Sequence, residues 1–140
     1  MCERLFNHPF NFESCVRRLY SDYVKHNSLI VAFDFDNTIW DYHACGGDMQ
    51  CVVDLLVECS DLGFTMILFT ANEGEAKLTY CKAFCESQGI RVDYINESPI
   101  MATRKPYYNI LLDDRAGLEE AYYTLSAVVE VIKMQKDYDY

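Results

Sequence analysis

The chain has 140 residues, 51% of them hydrophobic and 14% aromatic, which is enough apolar surface for one domain with a single core. Its formal net charge is −10, the reverse of the basic footprint of proteins that grip nucleic acid or anionic membranes, so extended nucleic-acid binding and membrane association are not expected. Seven cysteines without a Cys-x-x-Cys pair, behind an opening Met1-Cys2-Glu3-Arg4 that shows no secretory pattern, predict reduced thiols in a soluble cytoplasmic protein.

Asn11 is placed to cap a first helix reaching about His26, with Phe12, Val16, Leu19, Tyr20, Tyr23 and Val24 at helical spacing on one face. Leu29 to Phe33 is a continuous apolar run of strand length ending at Asp34, and such a run is buried on both faces, as in a central parallel strand. An irregular stretch from Thr38 to Gly47 follows. Asp48 then caps a second helix whose apolar face is Val52, Leu55, Leu56 and Cys59, and Gly63 fits its stop. Phe64 to Phe69 is a second strand. A third helix covers Glu73 to Gln88 and stops at Gly89; Cys51, Cys59, Cys81 and Cys85 fall where these two helices would bury them. Ile90 to Ile95 is a weaker strand, Asn96 to Pro106 a loop, and Tyr108 to Leu112 the last strand. The final helix runs from about Leu118 to Lys133, with Leu118, Ala121, Tyr122, Leu125, Val128, Val129 and Ile132 facing inward.

This alternation predicts an α/β layered domain spanning the whole chain, with a mostly parallel sheet. In such sheets ligands bind beyond the carboxyl ends of the strands, near the point where strand order reverses. The pairs Asp34/Asp36, Thr70/Asn72 and Asp113/Asp114 each follow an apolar strand directly, which deposits them on one rim. Four crowded carboxylates repel one another, and a hard divalent cation such as Mg²⁺ relieves the repulsion through oxygen ligands. Lys105 and Thr70 are suited to hold a phosphoryl group beside it, and positioning plus charge neutralisation is most of what phosphoryl transfer needs. Two aspartates at i and i+2 can divide the labour: one attacks phosphorus, the other gives a proton to the leaving oxygen and later takes one from water.

The segment Asp34-Phe35-Asp36-Asn37-Thr38 resembles the first motif, DxDx[TV], of the haloacid dehalogenase-like (HAD) superfamily. Phe69-Thr70-Ala71-Asn72 resembles its second motif, Lys105-Pro106 its third, and Leu111-Leu112-Asp113-Asp114 its acidic fourth. The match spans Leu29 to about Leu118. The resemblance implies a three-layer Rossmann-like fold and a Mg²⁺-dependent phosphatase. In it Asp34 would be the nucleophile and a metal ligand, and Asp36 the general acid/base and, through its backbone carbonyl, a metal ligand. Thr70 and Lys105 would be catalytic and phosphate-binding, with Thr38 and Asn72 as further phosphate or substrate contacts. Asp114, with Asp113 directly or through water, would complete the metal site. Asn37 stands where many members have Gly, and Asn tolerates a left-handed backbone. Arg104 competes with Lys105 for the third motif.

The intervals from Asp34 to Thr70 and from Thr70 to Lys105 hold only helix, strand and loop, so the chain resembles the capless subgroup. In that subgroup a large substrate or a second subunit covers the open site, which leaves a homo-oligomer possible. Leu112-Asp113-Asp114-Arg115 also resembles the phosphatase portion of polynucleotide kinase–phosphatases, which implies a nucleotide or nucleic-acid-end phosphate. The net charge favours a small phosphorylated metabolite or nucleotide equally. The alternatives are a silent HAD-like binding or regulatory module and a phosphotransferase to an acceptor other than water. His43, Cys45 and Cys51 lack the tight spacing of a zinc site. Trp40, Tyr42 and His43 stand where a flap would border substrate entry.

Overall fold

The structure, a computed structural model, describes residues 10–98 and 103–138. Its elements are α1 (Phe12–His26), β1 (Ile30–Asp34), α2 (Gln50–Asp61), β2 (Thr65–Phe69), α3 (Glu75–Ser87), β3 (Tyr94–Ile95), β4 (Ile110–Leu112) and α4 (Leu118–Tyr138). The four strands form one parallel sheet in the order β3-β2-β1-β4. The sheet is flanked by the four helices, a Rossmann-like α/β arrangement as expected. No inserted domain separates β1 from β2. β1 is the switch point, since the chain moves to one side of it through β2 and β3 and returns to the other for β4.

The register aligns Val31 with Met66 and Ile110, and Phe33 with Leu68 and Leu112. These side chains share one face of the sheet and form a single core with Leu19 of α1, Val52, Leu56 and Cys59 of α2, Cys81 and Cys85 of α3, and Leu125, Val128, Val129 and Ile132 of α4. Ala32 and Ile67 point to the other face and are also fully buried. On that face Phe69 makes an edge contact with Tyr108, ring centroids 6.0 Å apart.

Helix ends follow local chemistry. Asn11 Oδ1 accepts from the Ser14 amide at 3.2 Å, satisfying a donor of the first turn. Gly63 and Gly89, at φ +82° and +91°, end α2 and α3 in the left-handed conformation that suits glycine. Asp48 stands one residue outside its expected place: Met49 is the N-cap of α2, while the Asp48 carboxylate accepts from the Gln50 amide at 2.9 Å.

Both edge strands are shorter than their apolar runs predict, for one shared reason. At the start of β3, Asp93 Oδ2 accepts from the Met66 amide at 2.8 Å, and at the start of β4, Asn109 Oδ1 accepts from the Ile30 amide at 2.7 Å. A side chain replaces a ladder carbonyl in each case, so Ile90 and Val92 are buried without being strand. α4 runs one turn past the expected Lys133, where Gln135 Nε2 donates to the Tyr20 hydroxyl at 2.6 Å. Phe12, Val24 and Cys51 were expected to be buried and are exposed. Helical spacing marks a face without saying how far the neighbouring helix reaches along it. Among the described residues no helix is long and apolar enough to cross a membrane.

Candidate active site

Asp34 ends β1, and the chain turns at once. The carbonyl of Phe35 accepts from the amides of Ile39 and Trp40, both at 3.1 Å, and the Asn37 amide donates back to the Trp40 carbonyl at 2.7 Å. Asn37 takes φ +60° to close this turn, the left-handed conformation anticipated for it. The turn leaves Asp36 on the wall of the same cavity as Asp34 and directs Thr38 inward.

Thr38 is completely buried. Its hydroxyl donates to Asp34 Oδ2 at 3.2 Å and accepts from the Asp114 amide at 3.1 Å. One side chain therefore ties the loop after β1 to the loop after β4. This places Thr38 beneath the rim, as a bridge between loops. The Asp113 carboxylate accepts from the Arg115 amide at 2.9 Å, which fixes the turn entering α4.

The outcome is a trio. Carboxylate oxygens of Asp34, Asp113 and Asp114 all lie within 4.8 Å of one another. Asp34 is consequently hard to ionise: its pKa is raised from 3.8 to about 7 by burial, by the charge of Asp113 and by a hydrogen bond with the Asp114 carboxyl. The Phe35 backbone and the Thr38 hydroxyl pull the other way with smaller effect. A dication among the three would reverse the balance, making ionised carboxylate the favoured form. The donors are all carboxylate oxygens from two adjacent strand ends, the hard set that Mg²⁺ or Ca²⁺ takes. The trio thus fits a hard divalent cation. Asp36 lies outside it.

The β2 side of the rim is neutral. The Thr70 hydroxyl accepts from Asn72 Nδ2 at 2.8 Å and from the Asn72 amide at 3.1 Å, and Asn72 Nδ2 also reaches Asp36 Oδ2 at 3.2 Å. Asn96, just past β3, completes the array. Its side chain accepts from the Thr70 amide at 2.9 Å and donates to the Thr70 carbonyl at 3.1 Å, a two-point clasp on the backbone that carries the hydroxyl. Sequence reasoning did not single out Asn96. Its signal was an Asn directly after a strand, here at φ +55°.

A cavity of about 710 Å³ opens between the two sides. Asp34, Asp36, Thr70, Asn72, Asp113 and Asp114 line it, so six of the eight residues expected from the sequence come together. Tyr42 and His43 border its mouth, and Arg115 is the cation on its wall. The other two differ. Thr38 lies below, as described, and Lys105 is exposed and is not among the lining residues. Among the described residues His43, Cys45 and Cys51 form no metal-binding cluster.

No family model matches the chain, and no curated protein sequence matches it. Among solved structures, a conserved protein from Bacteroides thetaiotaomicron is similar to it, at 24% identity and a TM-score of 0.56 over 78% of this chain and 93% of that one. At that identity the likeness concerns the fold, and it agrees with the parallel α/β architecture described above.

Proposed function

We propose that the chain is a HAD-like, Mg²⁺-dependent phosphomonoester hydrolase working in a reducing cytoplasm. The observation that carries this reading is the carboxylate trio at the switch point, with Asp36 beside it across the same cavity. Six free cysteines among the described residues accord with a reducing compartment.

In this reading Asp34, Asp113 and Asp114 would hold Mg²⁺, which would offset the negative charge of the carboxylates and of the phosphoryl oxygens. An Asp34 oxygen attacks phosphorus while the bond to the leaving oxygen breaks. Asp36 gives its proton to that oxygen. Water then attacks the aspartyl-phosphate, Asp36 takes the proton of the water, and phosphate leaves as Asp34 is regenerated. Asn72, bonded to both Asp36 and Thr70, holds the acid/base group and the hydroxyl at a fixed separation. The open cavity suits a substrate, or a second copy of the chain, that covers it from outside.

The place of Lys105 outside the cavity favours one rival: a binding or regulatory module of the same fold that does not turn over. A panel of phosphomonoesters with and without Mg²⁺ separates the two. Metal-dependent release of phosphate that Asp34→Asn abolishes supports the hydrolase. Binding of phosphate esters without any turnover by the unaltered chain supports the module.

A further inference from the structure

Beside the acidic cavity lies a second hollow of about 370 Å³ whose walls are aromatic. The two share Asp36, Tyr42 and Asn72, so they adjoin one another. Trp40 is one of its lining residues. It stacks on Phe35 at 5.8 Å and 18° and meets the edge of Phe84 at 4.8 Å, contacts that hold the indole in place. Tyr80, from α3, stands perpendicular to it at 5.7 Å. Tyr42 closes the near side. Its loop is pinned by Asp41, whose carboxylate accepts from the Gly46 and Gly47 amides at 2.8 and 2.9 Å.

Tyr42 and Tyr80 nevertheless remain 61% and 55% exposed. Single exposed rings are commonplace. Here two of them and a half-buried tryptophan surround one concavity that opens on Asp36, the group from which a leaving oxygen would receive its proton. The leaving group therefore extends from Asp36, which lies on both concavities, and the aromatic hollow is the one of the two that the carboxylate trio does not line. An aliphatic leaving group would leave the rings wet, whereas a planar ring would cover them and gain stacking or edge-to-face contact. Lys77, the cation on this wall, is suited to a carbonyl or anionic substituent of such a ring.

We infer, resting on the phosphatase reading, that the substrate is a phosphomonoester whose leaving group carries a planar aromatic ring seated among Trp40, Tyr42 and Tyr80. Trp40 is the sole tryptophan of the chain, so its fluorescence reports on the hollow directly. In the Asp34→Asn protein with Mg²⁺, titration with adenosine monophosphate and with O-phosphotyrosine is compared with glycerol phosphate. At least one ring ligand is expected to quench Trp40 and to bind roughly tenfold tighter than glycerol phosphate, about the worth of one stacked ring. Which of the two binds tighter separates a nucleoside from a tyrosyl group. Tyr80→Ala should close the gap between ring and aliphatic ligands, and Tyr80→Phe should keep it. Equal affinities for all three esters, or a gap indifferent to Tyr80→Ala, would overturn the inference while leaving the phosphate site standing. If no phosphate ester binds, and none is hydrolysed by the unaltered chain with Mg²⁺, the phosphatase reading falls and takes this one with it.

Discussion

On the β1/β4 side of the rim three carboxylates converge, while on the β2 side Thr70, Asn72 and Asn96 all have hydrogen-bond partners. On the first side burial, and after it the charge of Asp113, hold the carboxyl of Asp34 up to about 7. The second is complete by itself. The contrast separates two kinds of preorganisation: geometry fixed by neutral hydrogen bonds, and charge left unbalanced for a ligand to balance. In the proposed reading a cation completes the first side, while the second already offers a finished frame.

The largest expected effect comes from the charged side. Asp34→Asn should lower kcat by roughly 10⁴-fold or more, because a carboxamide does not replace the nucleophile. Chelation of divalent cations should abolish turnover to a comparable degree. Circular dichroism of the variant should match the parent, since the carboxamide of Asn has nearly the size and shape of the carboxylate it replaces. Retained activity would remove the nucleophile assignment and leave the carboxylate trio as a structural ion site.

Next comes the phosphate-binding cation. Lys105→Ala should cost about 10²-fold in kcat, with the lysine reaching the phosphate only when substrate is bound, as catalytic contacts often tighten only in the complex. Arg115→Ala should cost less. The reverse order would move the cation role to Arg115, which already lines the cavity.

Stability against pH sharpens the comparison without any substrate. Well below pH 3.8, at about pH 2 to 3, Asp34 is protonated folded or unfolded and contributes nothing to the difference. Its folded pKa is raised, from 3.8 to about 7, so as pH climbs through that window the unfolded chain releases its proton first. The metal-free protein should lose stability from pH 4 to 7, on the order of 1–2 kcal/mol after discounting for solvent screening at a half-buried site. Asp34→Asn should flatten that slope. Mg²⁺ should raise Tm, and more at pH 7 than at pH 5, because the ligands must be ionised. A metal effect independent of pH would contradict binding at the trio.

The smallest effect lies on the neutral side. Asn96→Ala removes the clasp on Thr70 and should destabilise the fold by about 1 kcal/mol in chemical denaturation, at every pH. A pH-dependent loss would mean that the two sides are coupled more tightly than their hydrogen bonds suggest.

Much of this was legible in the sequence because strands and the polar residues at their ends share one grammar. An apolar run ending in a polar pair marks both a parallel strand and the rim it points to, which brought Asp34, Asp36, Thr70, Asn72, Asp113 and Asp114 together correctly. What was not legible depends on contacts distant in sequence. Thr38 reads as a substrate contact within its motif, yet its hydroxyl is used between two loops whose nearness appears only in the fold. The edge strands are cut short by Asp93 and Asn109, whose side chains substitute for backbone carbonyls, an event invisible to hydrophobic patterning. Lys105 shows the limit most plainly, because its motif assigns it a role and its own neighbourhood leaves it exposed.

The central claim is that Asp34 is the nucleophile, and covalent trapping tests it most directly. The unaltered chain, turning over a phosphomonoester with Mg²⁺, is quenched with borohydride, which reduces an aspartyl-phosphate to the alcohol, and the peptide carrying residue 34 is read by mass spectrometry. The account predicts reduction at Asp34, dependent on substrate and on metal. Sustained hydrolysis with Asp34 unreduced, or reduction at another carboxylate such as Asp36 or Asp113, would contradict it.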